Sequence, residues 1–318
     1  MLNKFTFIIM KLALSLIITI VIQLSSYSQT IYSQVFGKPE NPALIFLHGG
    51  PGYNCANFEF TSAQKLADAG FYVITYDRRG EGRSLDPKAK FTFDETFEDL
   101  NDLYQRYNIE QAFLLGHSFG GIVATLYAEK HREKVNSIVL IGAPVSLQAT
   151  FKTIIKNSKE IYTSKNDVVN LKYIDMLEDM DTTLLEYGSY SFMHAMQNGF
   201  YTPKEISDEA KVIYSLFGTH EQLKIYSMQM TYEGPQGFWK NEDYTTINLT
   251  QNLINLLEEG MSIYGLYGKD DGLYSVEQVD ELKALIGEDH LNYIDNCSHS
   301  VFIDQQTLFI DALKNWLK

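Results

Sequence analysis

The chain has 318 residues, 45% of them hydrophobic, and carries 26 lysines and arginines against 40 aspartates and glutamates, a net charge of −14. That apolar content gives one large domain ample core. The acidic balance argues against nucleic acid and anionic membrane surfaces as partners. No basic patch, internal repeat, low-complexity tract or metal-ligand spacing stands out, so neither a metal nor another cofactor is expected.

Taken in chain order, the first segment is residues 1–28. It has Lys4 and Lys11, an apolar run from Leu12 to Leu24, and the small residues Ser26 and Ser28. A basic start, an apolar run of about 13 residues and small residues at −3 and −1 describe a secretory signal peptide, with cleavage after Ser28. Export to a periplasmic or extracellular compartment is then expected, with no stable membrane association after cleavage. The run is short for a membrane span, although counting from Phe5 lengthens it to about 20 residues and leaves an uncleaved anchor as the alternative. Removing 1–28 takes away two lysines and no acid, so the net charge becomes −16.

Short apolar runs predict strands at 31–36, 43–48, 71–76, 112–117, 135–141, 261–267 and 291–295. Between them, amphipathic patterns predict helices at 61–69, 93–107, 119–131, 275–286 and 304–317. This alternation implies an α/β fold, a mostly parallel sheet covered by helices on both faces. Ligands in such sheets bind at the carboxyl ends of the strands. Residues 146–256 break the alternation with a long, mostly helical stretch rich in tyrosine and phenylalanine, leaving 29–145 and 257–318 as the core.

Three loops carry chemistry. Gly116-His117-Ser118-Phe119-Gly120 lies between a predicted strand and a predicted helix, the setting of a Gly-x-Ser-x-Gly nucleophile elbow. The sharp turn lifts the Ser118 hydroxyl above the sheet, and glycines two before and two after it let strand and helix approach. A serine needs a base, usually histidine oriented by a carboxylate, and in this architecture acid and histidine follow the serine. Of seven histidines, His48 and His117 sit in backbone-shaping motifs, and His131, His194, His220 and His290 sit in or beside predicted helices and strands. His299 remains, in a short turn after a late strand. The acid should end the strand before that one. Gly268-Lys269-Asp270-Asp271 follows it, so Asp271 is the candidate by its spacing from the glycine, with Asp270 as alternative. His48-Gly49-Gly50-Pro51-Gly52 follows the second predicted strand. Its glycine N–H groups, Gly50 above all, and the N–H of Phe119 are the candidate oxyanion donors.

With these residues in hand, the chain resembles the α/β-hydrolases, and its motifs resemble the proline iminopeptidase group of serine aminopeptidases. His48-Gly49-Gly50-Pro51-Gly52 is similar to that group's oxyanion loop. Asp77-Arg78-Arg79-Gly80-Glu81-Gly82-Arg83-Ser84 is similar to its Asp-x-Arg-Gly-x-Gly-x-Ser segment. The elbow departs from the group's usual Gly-Gly-Ser-Trp-Gly and has a form common in esterases. The resemblance implies that 146–256 is a helical cap over the active site, and that cap carboxylates bind a substrate's free α-amine, for which Glu186 and Glu233 are candidates. It implies an aminopeptidase acting on short peptides through an acyl-enzyme, or an esterase with the same triad. A non-enzymatic binding protein is disfavoured by the complete set of residues. Cys55 and Cys297 fall in loops near the site, either as a disulfide pair in an oxidising compartment or as two buried thiols.

Overall fold

The computed structural model describes residues 31–318, so the predicted signal segment lies outside the described residues. Seven strands form one sheet: β1 (Ser33–Phe36), β2 (Ala43–Leu47), β3 (Tyr72–Tyr76), β4 (Ala112–His117), β5 (Val135–Ile141), β6 (Ser262–Gly268) and β7 (Leu291–Ile294). Their spatial order is β1-β3-β2-β4-β5-β6-β7. β1 runs antiparallel to β3, and every other pair is parallel. Ala-Leu-Ile-Phe-Leu of β2 and Tyr-Val-Ile-Thr-Tyr of β3 are buried at every position, as continuous apolar strands covered on both faces should be. β1 is an edge strand and only half-buried. Among the described residues a single strand, β1, precedes β2.

The chain passes from β2 to β3 on one side of the sheet and then to β4 on the other. β2 and β4 are neighbours, with Leu47 opposite Gly116. This is the topological switch point, where the loops leaving both strands diverge and open a crevice. The elbow and the Gly-rich loop occupy it.

The covering helices fall where the pattern placed them. The helix Phe93–Arg106 starts at Thr92, whose hydroxyl accepts the Glu95 N–H, and Val276–Ile286 starts with a Ser275/Gln278 capping box. The helix expected at 61–69 starts earlier, at Ala56, and passes through a π turn, Glu59–Ala63. The last helix is broken into Val301–Asp304 and Gln306–Leu317.

Between β5 and β6 lie the helices Leu147–Ser164, Val168–Glu178, Leu185–Gln197, Asp208–Thr219, Glu221–Tyr226, Glu233–Glu242 and Thr250–Glu258. This insertion leaves and returns through one neck, where Leu147 N–H donates to Ile247 and Leu249 N–H donates to Val145. Its last helix packs on Phe119–Lys130 and β6, and Asn252 and Asn255 donate to Glu129 there. No described helix is long and apolar enough to cross a membrane.

Candidate active site

Ser118 sits on the turn between β4 and the helix Phe119–Lys130 with φ +53° and ψ −124°. A non-glycine residue holds that conformation only when its surroundings impose it. Here Ser118 N–H donates to Ile141 and its carbonyl accepts from Gly121. A Cβ on Gly120 would collide with the carbonyl of Leu47, and one on Gly116 with the backbone of Gly121, so both elbow glycines are required by packing. Ser118 is half-buried, and its hydroxyl has no hydrogen-bond partner among the described residues. Such bonds often tighten only when substrate binds.

His299 follows β7 and is buried. Its Nδ1 lies 2.8 Å from Asp271 Oδ2, and the other Asp271 oxygen accepts the Leu273 N–H. Asp270 turns the other way, toward the insertion: its carboxylate accepts the Lys204 N–H and lies 3.3 Å from the Lys204 ammonium. Of the two adjacent aspartates, Asp271 is therefore the partner of His299. With Nδ1–H committed to Asp271, Nε2 is left to accept a proton. The backbone brings the base to the elbow. His117 Nε2–H donates to the His299 carbonyl, the two rings lie 4.9 Å apart, and a Cβ on Gly142 would sit 3.1 Å from His299 Nδ1. The other histidines are engaged elsewhere: His194 with the Tyr162 hydroxyl, His220 capping the helix Glu221–Tyr226, and His131 and His290 against Tyr127 and Tyr264.

Several residues that hold this base were not singled out from the sequence. Asp304, fully buried, accepts the Ser298 N–H at 2.8 Å and the Tyr214 hydroxyl at 2.6 Å, and the Ser298 hydroxyl lies 2.6 Å away. Burial pushes the Asp304 carboxyl up, and these donors oppose the shift. The Tyr201 ring stands edge-on to His299 at 5.1 Å, and Tyr274 lies parallel to it at 6.4 Å while donating to the Gly142 carbonyl. Nothing in a tyrosine's sequence position marks it for such a role. Asp304 follows the candidate histidine by five residues, which was the one available signal.

The Gly-rich loop is fastened from below. A Cβ on Gly49 would sit 3.2 Å from Ser118 Cβ, so this backbone lies against the nucleophile. Buried Arg78 donates to the His48 carbonyl and to the Gly49 carbonyl, each at 2.5 Å, and pairs with Glu81 at 2.8 Å. Glu81 accepts the Gly52 N–H in turn. His48 Nε2 accepts the Arg78 N–H, so Nδ1 carries the proton and donates to the Gly49 carbonyl. Burial and then the Arg78 cation hold the pKa of His48 well below the usual value, consistent with this neutral tautomer. Neither Gly50 N–H nor Phe119 N–H has an acceptor among the described residues; Phe119 opens its helix, where an N–H has no intrahelical partner. Two unclaimed donors flanking Ser118 can receive a developing oxyanion.

Phe119 packs with Phe93, Phe238 and Tyr244, so residues from both core and insertion build an aromatic wall beside the serine. Glu233 is exposed and opens the helix Glu233–Glu242. Its neighbour Gly234 packs on Gly52 and Glu81, which puts Glu233 at the rim of the Gly-rich loop. Glu186 is exposed as well, but its neighbours Tyr187 and Gly188 pack on Phe151 inside the insertion, and no contact among the described residues brings Glu186 to Ser118. Cys55 and Cys297 are free and buried rather than paired. The Cys55 thiol lies between Glu59 and Arg83, and that of Cys297 faces the Ser298 carbonyl. Burial pushes both thiols far up, so neither is a ready nucleophile. No group of three or more metal-binding side chains occurs among the described residues.

Residues 42–306 match the family described as the alpha/beta hydrolase fold. The chain belongs to that family. A proline iminopeptidase of Saccharolobus solfataricus is 24% identical over 318 residues, covering 90% of this chain and 91% of its own. Among solved structures, the proline iminopeptidase-related protein of Thermus thermophilus superposes with a TM-score of 0.62 at 21% identity, covering 90% of this chain and 92% of that one. An esterase of Exiguobacterium antarcticum superposes with a TM-score of 0.59 at 18% identity, covering 90% and 95%. The two structures speak for the fold. As an α/β-hydrolase resembling proline iminopeptidase, the chain is a hydrolase.

Proposed function

We propose that this hydrolase is an exported serine aminopeptidase that releases N-terminal residues from short peptides through an acyl-enzyme. The observation that carries the chemistry is the His299–Asp271 hydrogen bond beside a serine at positive φ, with the Gly50 and Phe119 N–H groups unclaimed. Ser118 Oγ attacks the carbonyl carbon of the first residue while His299 Nε2 takes its proton. Asp271 holds the imidazole and stabilises the imidazolium. The tetrahedral oxyanion is received by Gly50 and Phe119. His299 then protonates the leaving amine, and water repeats the sequence on the ester to free the enzyme. No cofactor is needed for any step.

The peptidase reading draws on the similarity to a proline iminopeptidase along nine-tenths of the chain and on the oxyanion loop His48-Gly49-Gly50-Pro51-Gly52. The Glu233 carboxylate at the loop's rim is a group that could meet a free α-amine. The export reading draws on the N-terminal pattern of Lys4, Lys11 and the apolar run to Leu24. A second reading, an esterase, is favoured by one observation: Phe119 stands where the iminopeptidase elbow has tryptophan.

The test is an assay of the mature chain beside Ser118→Ala on aminoacyl anilides of proline and alanine, their N-blocked forms, and p-nitrophenyl acetate. Turnover of free anilides that is lost on blocking supports the peptidase. Ester cleavage without anilide turnover replaces it with the esterase. Activity that survives Ser118→Ala overturns both.

A further inference from the structure

The peptide unit between Gly49 and Gly50 has two ends. Its N–H is the candidate oxyanion donor of Gly50. Its C=O, on Gly49, is the most heavily hydrogen-bonded atom of the loop: it accepts from Arg78 Nη2 at 2.5 Å and lies 2.8 Å from His48 Nδ1. Hydrogen bonds in a chain polarise one another, and the effect grows where water is excluded. A cation at the carbonyl end therefore draws electron density away from the N–H and makes it a stronger donor. Arg78 also fixes the geometry. Its backbone N–H occupies His48 Nε2, which forces the proton onto Nδ1 and so toward the Gly49 carbonyl. Its Nη1 holds the preceding carbonyl, that of His48, at 2.5 Å. The guanidinium is almost fully buried, with Glu81 beneath it and the Phe119 ring 5.1 Å away, so it reaches this peptide without water between. That ring belongs to the residue carrying the second candidate donor.

We propose that Arg78 is the positioning residue of the oxyanion hole: through the Gly49 carbonyl it orients and polarises the Gly50 N–H, and through His48 it holds that arrangement in one tautomer. This rests on the reading of Ser118 as nucleophile with Gly50 as an oxyanion donor. It gives Arg78, the variable position of the Asp-x-Arg-Gly segment, a role in the transition state rather than in folding alone. A lysine there would keep the charge but lose the planar fork that meets the two carbonyls from two nitrogens. A glutamine would keep one donor nitrogen and lose the charge.

The experiment compares wild type, Arg78→Lys, Arg78→Gln and Ser118→Ala on p-nitrophenyl acetate and the free aminoacyl anilides. It adds binding of a phenylboronic acid, which becomes tetrahedral on the serine. Removing an oxyanion donor outright costs on the order of 100-fold or more in kcat. Weakening one from behind should cost Arg78→Gln about 10- to 50-fold, with KM within about threefold and boronate affinity falling by the same factor as kcat; Arg78→Lys should fall between it and wild type. A merely structural Arg78 would lower the melting temperature and leave kcat and boronate affinity at 20 °C untouched, and that result overturns the proposal. If neither variant folds, the wild-type Gly50 amide nitrogen is read by 15N NMR: polarisation of the Gly49 carbonyl should move it downfield of an ordinary glycine, and an ordinary glycine position overturns the proposal. Should Ser118→Ala prove as active as wild type, the hydrolase mechanism fails, an outcome separable from unchanged Arg78 variants beside an inactive Ser118→Ala.

Discussion

Charge is used in opposite ways on the two sides of the candidate site. In the core, the Arg78 and Arg83 side chains are 1% and 9% exposed and meet Glu81 and Asp77, both fully buried. In the insertion, Lys159 pairs with Asp175 and Glu178 in the open, and Lys204 meets Asp270 with its own side chain 83% exposed. A buried pair is expensive to assemble and more expensive to break, because the partner left behind is a desolvated charge. An exposed pair contributes little either way. The loops that carry the candidate hydrogen-bond donors are thus built on the first kind of contact, and the insertion beside them on the second. The cover takes its cohesion from aromatic packing instead, as in Phe151 against Tyr187 and Phe192.

The largest expected effect tests the core side directly. Ser118→Ala should lower kcat by about 10⁴-fold or more, because members of such a triad act as a unit. Asp271→Asn should cost about 10⁴-fold by leaving His299 in the wrong tautomer, whereas Asp270→Asn should stay within about threefold. Steady-state kinetics on the best substrate reads both, and equal losses at the two aspartates would sink the assignment.

Next in size is a stability effect. Burial pushes the Asp77 carboxyl up, but the hydrogen bonds and charge of Arg83 carry it below its usual value. A carboxyl depressed in the folded state adds stability above its unfolded pKa of about 4, and that contribution fades as pH falls through the folded value. Asp77→Asn should therefore destabilise the protein by about 3 kcal/mol at pH 7, by leaving Arg83 with Glu59 as its one buried carboxylate and removing an acceptor from the Cys55 and Arg83 N–H groups, and the gap from wild type should narrow below about pH 4. Urea melts at pH 7 and at about pH 2.5 measure this. A gap that stays constant with pH would mean that the ionised form is not what matters.

On the cap side the effects should be smaller. Glu233→Gln should raise KM for free aminoacyl anilides about tenfold, in line with losing one charge-assisted hydrogen bond, and leave ester turnover alone. Glu186→Gln, at an exposed position with no described contact to Ser118, should change neither. A reversed pattern would mean that the helix Leu185–Gln197 faces the substrate after all.

The same contrast explains what the sequence revealed. The strands β2 to β6 were legible because each is a short apolar run that the sheet buries, while the edge strands β1 and β7, only partly buried, gave a weaker pattern. Ser118, His299 and Gly50 stood out as candidates because each sits in a turn that follows an apolar strand, a setting that local pattern alone can mark. Asp271 was preferred to Asp270 by spacing alone, since adjacent residues on a turn point apart and the packed loop shows which faces His299. Arg78 lay inside a quoted motif with no role of its own, because its burial by Glu81 and Phe119 is a property of three loops together. The cap was least legible. Its helices were visible as a break in alternation, but whether Glu233, Glu186 or Tyr201 turns toward the serine depends on how the helices stack, and an exposed glutamate looks the same on every face.

The smallest expected effect bears on how the cover is attached. Lys204 and Asp270 join the insertion to the loop that carries Asp271, through the Lys204 N–H and through its ammonium. Lys204→Ala removes only the ammonium, an exposed partner worth about 0.5 kcal/mol, while the backbone bond to Asp270 persists. The melting temperature should fall by no more than about 2 °C, and salt should erase the difference because exposed pairs are screened. Asp270→Asn also leaves the backbone bond an acceptor, so it should behave alike. A larger loss in either variant, or one that salt does not reduce, would show that the insertion is held to the Asp271 loop by charge, and that cap and core are not built as differently as their burial implies.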